Sequence, residues 1–174
     1  FLNIPEKKRR EITLFTGHAP LYTGIPEADE ATIITMLRDP VARVKSFCQH
    51  VSEGKSPYIA KEFPPESFSL DAFLESGNAE LSNVQTKMLI NTRQSASSGL
   101  IQSMSRHEAR DTALENLSFR VFRFGLQEYF DESLLLLADS LNWSLPVYDS
   151  QNRKNTARLL EFKDRHLEKI SELN

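Results

Sequence analysis

Ala31-Thr-Ile-Ile-Thr-Met-Leu37-Arg38-Asp39-Pro40-Val-Ala-Arg-Val-Lys-Ser46 is the stretch whose reading decides the fold. Its first seven residues are β-branched or apolar without clean alternation, the pattern of a strand covered on both faces in a parallel sheet. The second half changes character at once. Asp39 can cap a helix with its side-chain oxygen, and Pro40 suits the first helical position, where an N–H would have no partner. Beyond it Val44, Phe47, Cys48 and Val51 recur at helical spacing, so the helix is expected to run to about Val51. Strand, tight turn and helix in succession are the building unit of an α/β domain.

Towards the N-terminus, Phe1-Leu-Asn-Ile-Pro5 and Ile12-Thr-Leu-Phe15 read as short strands on either side of the charged run Glu6-Lys-Lys-Arg-Arg-Glu11. On the other side, residues 53–66 hold three of the eight prolines and read as a long surface loop. Ser69 to Ser76 is a short helix closed by Gly77, and Asn78 caps the next, with Leu81, Val84 and Met88 on one face. Residues 92–104, rich in Ser and Gln, read as a mobile loop. Ser105-Arg-His-Glu108 is a capping box that opens a helix to about Leu117. Phe119-Arg-Val-Phe-Arg-Phe124 alternates as a strand does and ends at Gly125. A helix burying Phe130, Leu134, Leu137 and Leu141 follows, with the Leu134–Leu137 run as core. The last helix spans about Ala157 to Leu173, with Leu159, Phe162, Leu167, Ile170 and Leu173 near one face. The expected architecture is a single α/β domain over residues 1–174, a mainly parallel sheet flanked by helices.

Composition excludes several classes. A chain of 174 residues fits one domain, and 40% hydrophobic with 26% charged residues is a globular balance, not a disordered one. The net charge of −3 gives no electrostatic reason to expect nucleic acid as the main partner. No run approaches the roughly 20 apolar residues of a membrane span, and residues 1–10 lack the charge-then-apolar order of a signal peptide. A single cysteine, Cys48, excludes an internal disulfide framework and a multi-cysteine metal site. Cys48 reads as a small buried apolar residue, since no basic group is placed to activate its thiol.

The chemistry concentrates where the first long strand meets its helix. Arg38 stands at the carboxyl edge of that strand, where open α/β sheets bind ligands. A helix N-terminus with free N–H groups lies beside it, a setting that favours an anion. A guanidinium offers two parallel N–H donors to a phosphate, and Ser46, two turns down the helix, can add a hydroxyl. The other reading is an Arg–Asp surface pair beside a routine helix cap. His18 can serve as a base near neutral pH, or as a turn residue bonded to a carbonyl. His50, His107 and His166 read as structural, at a helix end, in a capping box and beside an apolar stripe.

Thr35-Met-Leu-Arg-Asp-Pro-Val-Ala-Arg-Val-Lys-Ser46 resembles the 3′-phosphate-binding signature of sulfotransferases that use 3′-phosphoadenosine 5′-phosphosulfate (PAPS). Phe124-Gly-Leu-Gln-Glu-Tyr-Phe-Asp-Glu-Ser-Leu-Leu-Leu-Leu137 is similar to the later F-G-L-T-E-x-F-D-E-S-L-L-L-L segment of that family. Thr16-Gly-His-Ala-Pro20 resembles its G-H-x-P, and Asn83-Val-Gln-Thr-Lys-Met-Leu89 its N-x-Q-T-x-x-L. The four matches stand in the family's order and cover most of the chain. The branch they resemble includes carbohydrate sulfotransferases. The resemblance implies a P-loop-like sulfotransferase fold and in-line transfer of a sulfuryl group from PAPS to an acceptor hydroxyl, on a saccharide. It implies that Arg38 and Ser46 hold the 3′-phosphate, that His18 is the base, and that no metal takes part. Arg43 belongs to the signature, and either a phosphate contact or a helix-surface ion pair fits it. Relatives lie in the Golgi lumen in animals and in the cytoplasm in bacteria; the single Cys leans towards cytoplasm.

One departure weighs against the match. The family's glycine-rich turn after the first strand, typically F-x-H-I-P-K-T-G-G-T, wraps the 5′-phosphosulfate with backbone N–H groups. Phe1-Leu-Asn-Ile-Pro5 resembles its strand half, but Glu6-Lys7-Lys8 follows and no glycine precedes Gly17. Two expectations follow: either a phosphate-loop segment belonging between Pro5 and Glu6 is omitted from this chain, the expectation favoured here, or the motif is lost and the domain binds a nucleotide or partner without turnover. Nothing in the chain resembles the G-x-x-x-x-G-K-[ST] of P-loop kinases.

Overall fold

Strand β1 (Ile33–Leu37) and strand β2 (Val121–Leu126) pair in a two-stranded parallel sheet, and the other regular elements among the described residues of this mixed α/β chain are helical. The structure is a computed structural model and describes residues 4–14, 16, 17, 21, 26–90, 104–144 and 159–174. Several expectations fall outside these residues: most of the strand over Phe1–Pro5, Phe15, His18, residues 92–103 and the 157–158 start of the last helix. By proximity the chain divides into two compact units, Phe1–Thr35 with Gln85–Phe124, and Met36–Val84 with Gly125–Asn174. The division passes through both strands.

In the first unit, helix α1 (Glu6–Arg9) is one turn that starts after Pro5, and helix α2 (Pro26–Asp29) is another. Arg9 joins them, donating from Nε to Glu27 Oε2 at 3.2 Å and from Nη1 to the Ile4 carbonyl. The strand expected over Ile12–Phe15 is not formed at residues 12–14. The Ile12 N–H turns back to the Arg9 carbonyl at 3.1 Å, completing the preceding turn instead of entering a sheet. Helix α5 (Val84–Ile90) ends in the buried Ile90, and α6 (Arg106–Phe119) opens with the predicted capping box. Ser105 Oγ accepts the Glu108 N–H, while Glu108 Oε2 accepts the Ser105 N–H at 2.8 Å. Helix α6 runs two residues beyond its expected end, so Phe119 is an exposed helical residue and β2 begins only at Val121. Asn116 Nδ2 donates to the Leu89 carbonyl, tying α6 to α5.

The second unit holds the larger core. Helix α3 (Pro40–Ser52) carries Val44, Cys48 and Val51 on one stripe, and helix α4 (Leu70–Glu75) adds Phe73 and Leu74. With Leu81 and with Ile170 of α8 (Asp164–Leu173) these residues form one buried cluster. Phe73 is its centre, with Phe63 edge-on at 5.0 Å and Phe68 and Phe47 tilted at 5.6 and 5.9 Å. Ser69 caps α4 and Gly77, at φ +69°, closes it as expected, while Asn78 caps a short 3₁₀ turn, Ala79–Leu81, ahead of α5. Asn83 is left-handed at φ 49°, and its side chain donates to the Leu173 carbonyl, clasping the end of α8.

The structure corrects three further expectations. Helix α7 (Phe130–Ser140) buries Leu137, but Leu135 and Leu136 are 51% and 68% exposed. Four consecutive leucines span almost a full turn at 100° per residue, so they cannot all face one core. Helix α8 starts at Asp164 instead of Ala157: residues 159–163 form no regular element, and Lys163, extended at φ −81° and ψ 163°, donates its N–H to His166 Nδ1 at 3.1 Å. All five residues of β1 are half-buried, short of full cover on both faces, because β2 is its one strand neighbour among the described residues.

Candidate functional site

Each strand ends in a turn that starts a helix. At the end of β1, Arg38 is half-buried and Asp39 leaves the strand with φ −48° and ψ 126°. The Asp39 carboxylate accepts the Ala42 N–H at 2.7 Å, and Pro40 occupies the first helical position, as the residue types predict. At the end of β2, Gly125 is buried where a Cβ would press on Met36 Sδ and lie 2.6 Å from Ser133 Cβ. No other residue lets the chain pass there undistorted. Ser133, also buried, holds the following residue twice: its hydroxyl accepts the Leu126 N–H at 2.9 Å and donates to the Leu126 carbonyl at 3.2 Å. A 3₁₀ turn, Gln127–Tyr129, then leads into α7.

A hydrogen bond joins the two turns. Asp39 N–H donates to Glu128 Oε1 at 3.0 Å across 89 residues of sequence. This changes the expected character of the helix N-terminus. Of its orphan donors, the Asp39 N–H is taken by Glu128, Pro40 has none, and the Ala42 N–H is taken by Asp39. Two carboxylates already take two of the three N–H donors there, so an anion at this edge relies on side chains more than on the helix dipole.

Arg38 and Ser46 flank the first two turns of α3. Ser46 is half-buried, about 9 Å along the axis from Pro40 at 1.5 Å per residue. At 100° per residue it shares the Asp39 side of the helix and lies opposite the Val44–Cys48–Val51 stripe. Arg43 points elsewhere: its Nη2 donates to the Glu80 carbonyl, a third arrangement beside the phosphate contact and the surface ion pair. Burial pulls its pKa below the usual arginine value, opposed by the Glu80 charge. Cys48 is fully buried, and burial pushes its thiol up to about 12, so it packs and does not react.

His18 lies outside the described residues. Lys7 and Lys8 are exposed on α1. His50 and His107 are exposed on the last turn of α3 and the first of α6. His166 is buried beside a hollow of about 390 Å³ between α4 and α8, lined in part by Asp71, Glu75, Arg165 and Lys169. Its Nδ1 accepts the Lys163 N–H, so Nε2 carries the proton and donates to Asp71 Oδ1 at 3.0 Å. With both nitrogens engaged, this ring is a structural element. Among the described residues no group of three or more His, Cys, Asp or Glu is placed to hold a metal ion, and no helix is long and apolar enough to cross a membrane.

Sequence reasoning assigned no role to Gly125, Glu128 or Ser133, although all three lie in a segment it singled out. A Gly followed three residues later by Glu and eight later by Ser carries no local signal, because the partners are Met36 and Asp39. Comparison with protein-family models, curated proteins and solved structures finds no match for this chain.

Proposed function

We propose that this chain is a PAPS-dependent sulfotransferase domain of P-loop-like fold that transfers a sulfuryl group to a hydroxyl on a saccharide. The observation that carries the reading is the Asp39–Glu128 hydrogen bond. It joins the two longest family-like segments at the carboxyl ends of two parallel strands, the edge where α/β sheets bind ligands. Half-buried Arg38 at that edge and the Ser46 hydroxyl on α3 have the donor chemistry a 3′-phosphate needs. His18 is the base in this reading. When bound, PAPS supplies a sulfuryl group already activated by its link to phosphate.

The residues present do not fit the other end of that donor. A phosphosulfate needs a glycine-lined cradle of N–H groups, whereas Glu6–Arg9 is a helical turn with side chains at every position. This turn favours the second reading, a sulfotransferase-like domain that binds a nucleotide or a partner without turnover.

Calorimetric titration with adenosine 3′,5′-bisphosphate tests the reading. Binding that weakens at least about tenfold in Arg38→Ala, and equally when adenosine 5′-monophosphate replaces the bisphosphate, is expected from loss of a charge-assisted pair. A well-folded protein that binds neither nucleotide sinks it. Binding with no sulfuryl transfer to any hydroxyl acceptor selects the second reading.

A further inference from the structure

The N–H of Asp39 belongs to the peptide unit that links it to Arg38. A hydrogen bond to that N–H holds the peptide plane that contains the Arg38 Cα and, with strand β1 on the other side of that Cα, limits the directions in which the Arg38 side chain leaves the backbone. The acceptor is Glu128 Oε1, at 3.0 Å. The turn that carries Glu128 is anchored two residues upstream: Gly125 fits only as glycine against Met36 and Ser133, and the Ser133 hydroxyl grips both backbone groups of Leu126. The Asp39 carboxylate is committed to the Ala42 N–H and cannot replace it. From this geometry we infer that Glu128 is the positioning residue of the Arg38 site. Its carboxylate, carried on the β2–α7 turn, sets the Arg38–Asp39 peptide so that the guanidinium meets an anionic ligand at the carboxyl edge of β1. The inference rests on Arg38 as the phosphate-binding residue.

The role uses Glu128 as an acceptor and not as a charge. A second anion near a phosphate weakens its binding, so an uncharged acceptor of the same reach should serve as well or better. Glu128→Gln keeps an oxygen at that position and removes the charge. Glu128→Ala removes the acceptor, and Glu128→Asp keeps the charge but withdraws it by one methylene.

The test is calorimetric titration of the wild type and the three variants with adenosine 3′,5′-bisphosphate, with NMR amide exchange at Asp39 as a ligand-free readout. Glu128→Ala and Glu128→Asp are expected to weaken binding about tenfold and to speed exchange of the Asp39 amide. Glu128→Gln is expected to stay within about twofold of the wild type, on the tighter side, with the amide still protected. Should Glu128→Ala not fold, Glu128→Asp carries the same comparison. Wild-type affinity in both truncated variants, or tighter binding in Glu128→Ala, overturns the positioning role while leaving the nucleotide reading intact. Glu128→Gln as weak as Glu128→Ala also overturns it, since the charge would then be what matters. No binding by the folded wild type overturns the nucleotide reading and this assignment together.

Discussion

Phe73 sits among Phe47, Phe63 and Phe68 in the unit formed by Met36–Val84 and Gly125–Asn174, with Val44, Cys48, Val51, Leu81 and Ile170 fully enclosed around it. The buried apolar residues described in the other unit are Ile90, Ala113 and Val121, and two of its β2 side chains, Phe122 and Phe124, remain about half-exposed. What the second of these cores lacks in area it replaces with directed polar contacts. The Arg9–Glu27 pair, the Ser105–Glu108 capping box and the Asn116 bond to Leu89 all belong to it. The unit around Phe73 therefore adds its own carboxylate pairs, Lys55–Glu53 and Arg165–Asp71 among them, to a large buried cluster, whereas the other has little buried apolar surface and depends more on its polar contacts.

The comparison breaks most readily at Phe73. Phe73→Ala removes a fully buried ring that three others pack against, and a loss of about 3–5 kcal/mol is expected, read as a lower urea midpoint. A loss below 1 kcal/mol would mean that the aromatic cluster is not what holds the unit. Gly125→Ala comes next. Its Cβ must displace Met36 and Ser133, at about 1–3 kcal/mol, and should disturb the amides of Leu126 and Asp39 in NMR spectra before those of α8. Unchanged stability and spectra would show that the β2–α7 turn yields more easily than the packing implies.

Acid sharpens the contrast with a smaller effect. Bonding to the Ser105 N–H and hydroxyl holds the Glu108 carboxyl below its usual range, and a backbone N–H with Arg9 does the same for Glu27. Because the folded pKa values are depressed, their stabilisation is complete above about pH 4.5, the ordinary value, and is lost as pH falls through the folded ones. Glu53, bonded to Lys55 and Gln49, is the corresponding group beside the aromatic core. Amide resonances of α6 and α1 should therefore shift on titration from pH 6 to 3 before those lining Phe73. A Ser105→Ala variant should show a smaller change in α6 than the wild type. Simultaneous change at the residues lining Phe73 would contradict the contrast.

Local chemistry explains which parts could be read from residues alone. Asp39 and Ser105 cap the helices they were expected to cap, because a side-chain oxygen meets an N–H two or three residues away whatever the rest of the chain does, whereas Asn78 caps a 3₁₀ turn and not the longer helix expected after it. The β1–α3 unit appears where its pattern places it, and Cys48 is buried because the stripe it belongs to has a helical period. Readings that needed a distant neighbour fared differently. Ile12–Leu14 has strand-like residues but its N–H found a nearer partner at Arg9, and Leu135 and Leu136 are as apolar as Leu137 yet face away from the core. At the candidate site Arg38, Ser46 and the cap were legible in the signature, whereas Glu128 was not.

What this sequence determined by itself is thus the helices with strong caps, at Asp39, Ser69 and Ser105, and the strand-to-helix turn that carries Arg38. These depend on side chains within one or two turns of each other, where chain connectivity brings the partners together at little entropic cost. Tertiary structure alone decided which leucines of α7 are covered, why position 125 must be glycine, and that a carboxylate 89 residues away takes the Asp39 N–H. Each depends on two segments that meet only after the strands pair, and no local pattern encodes that meeting.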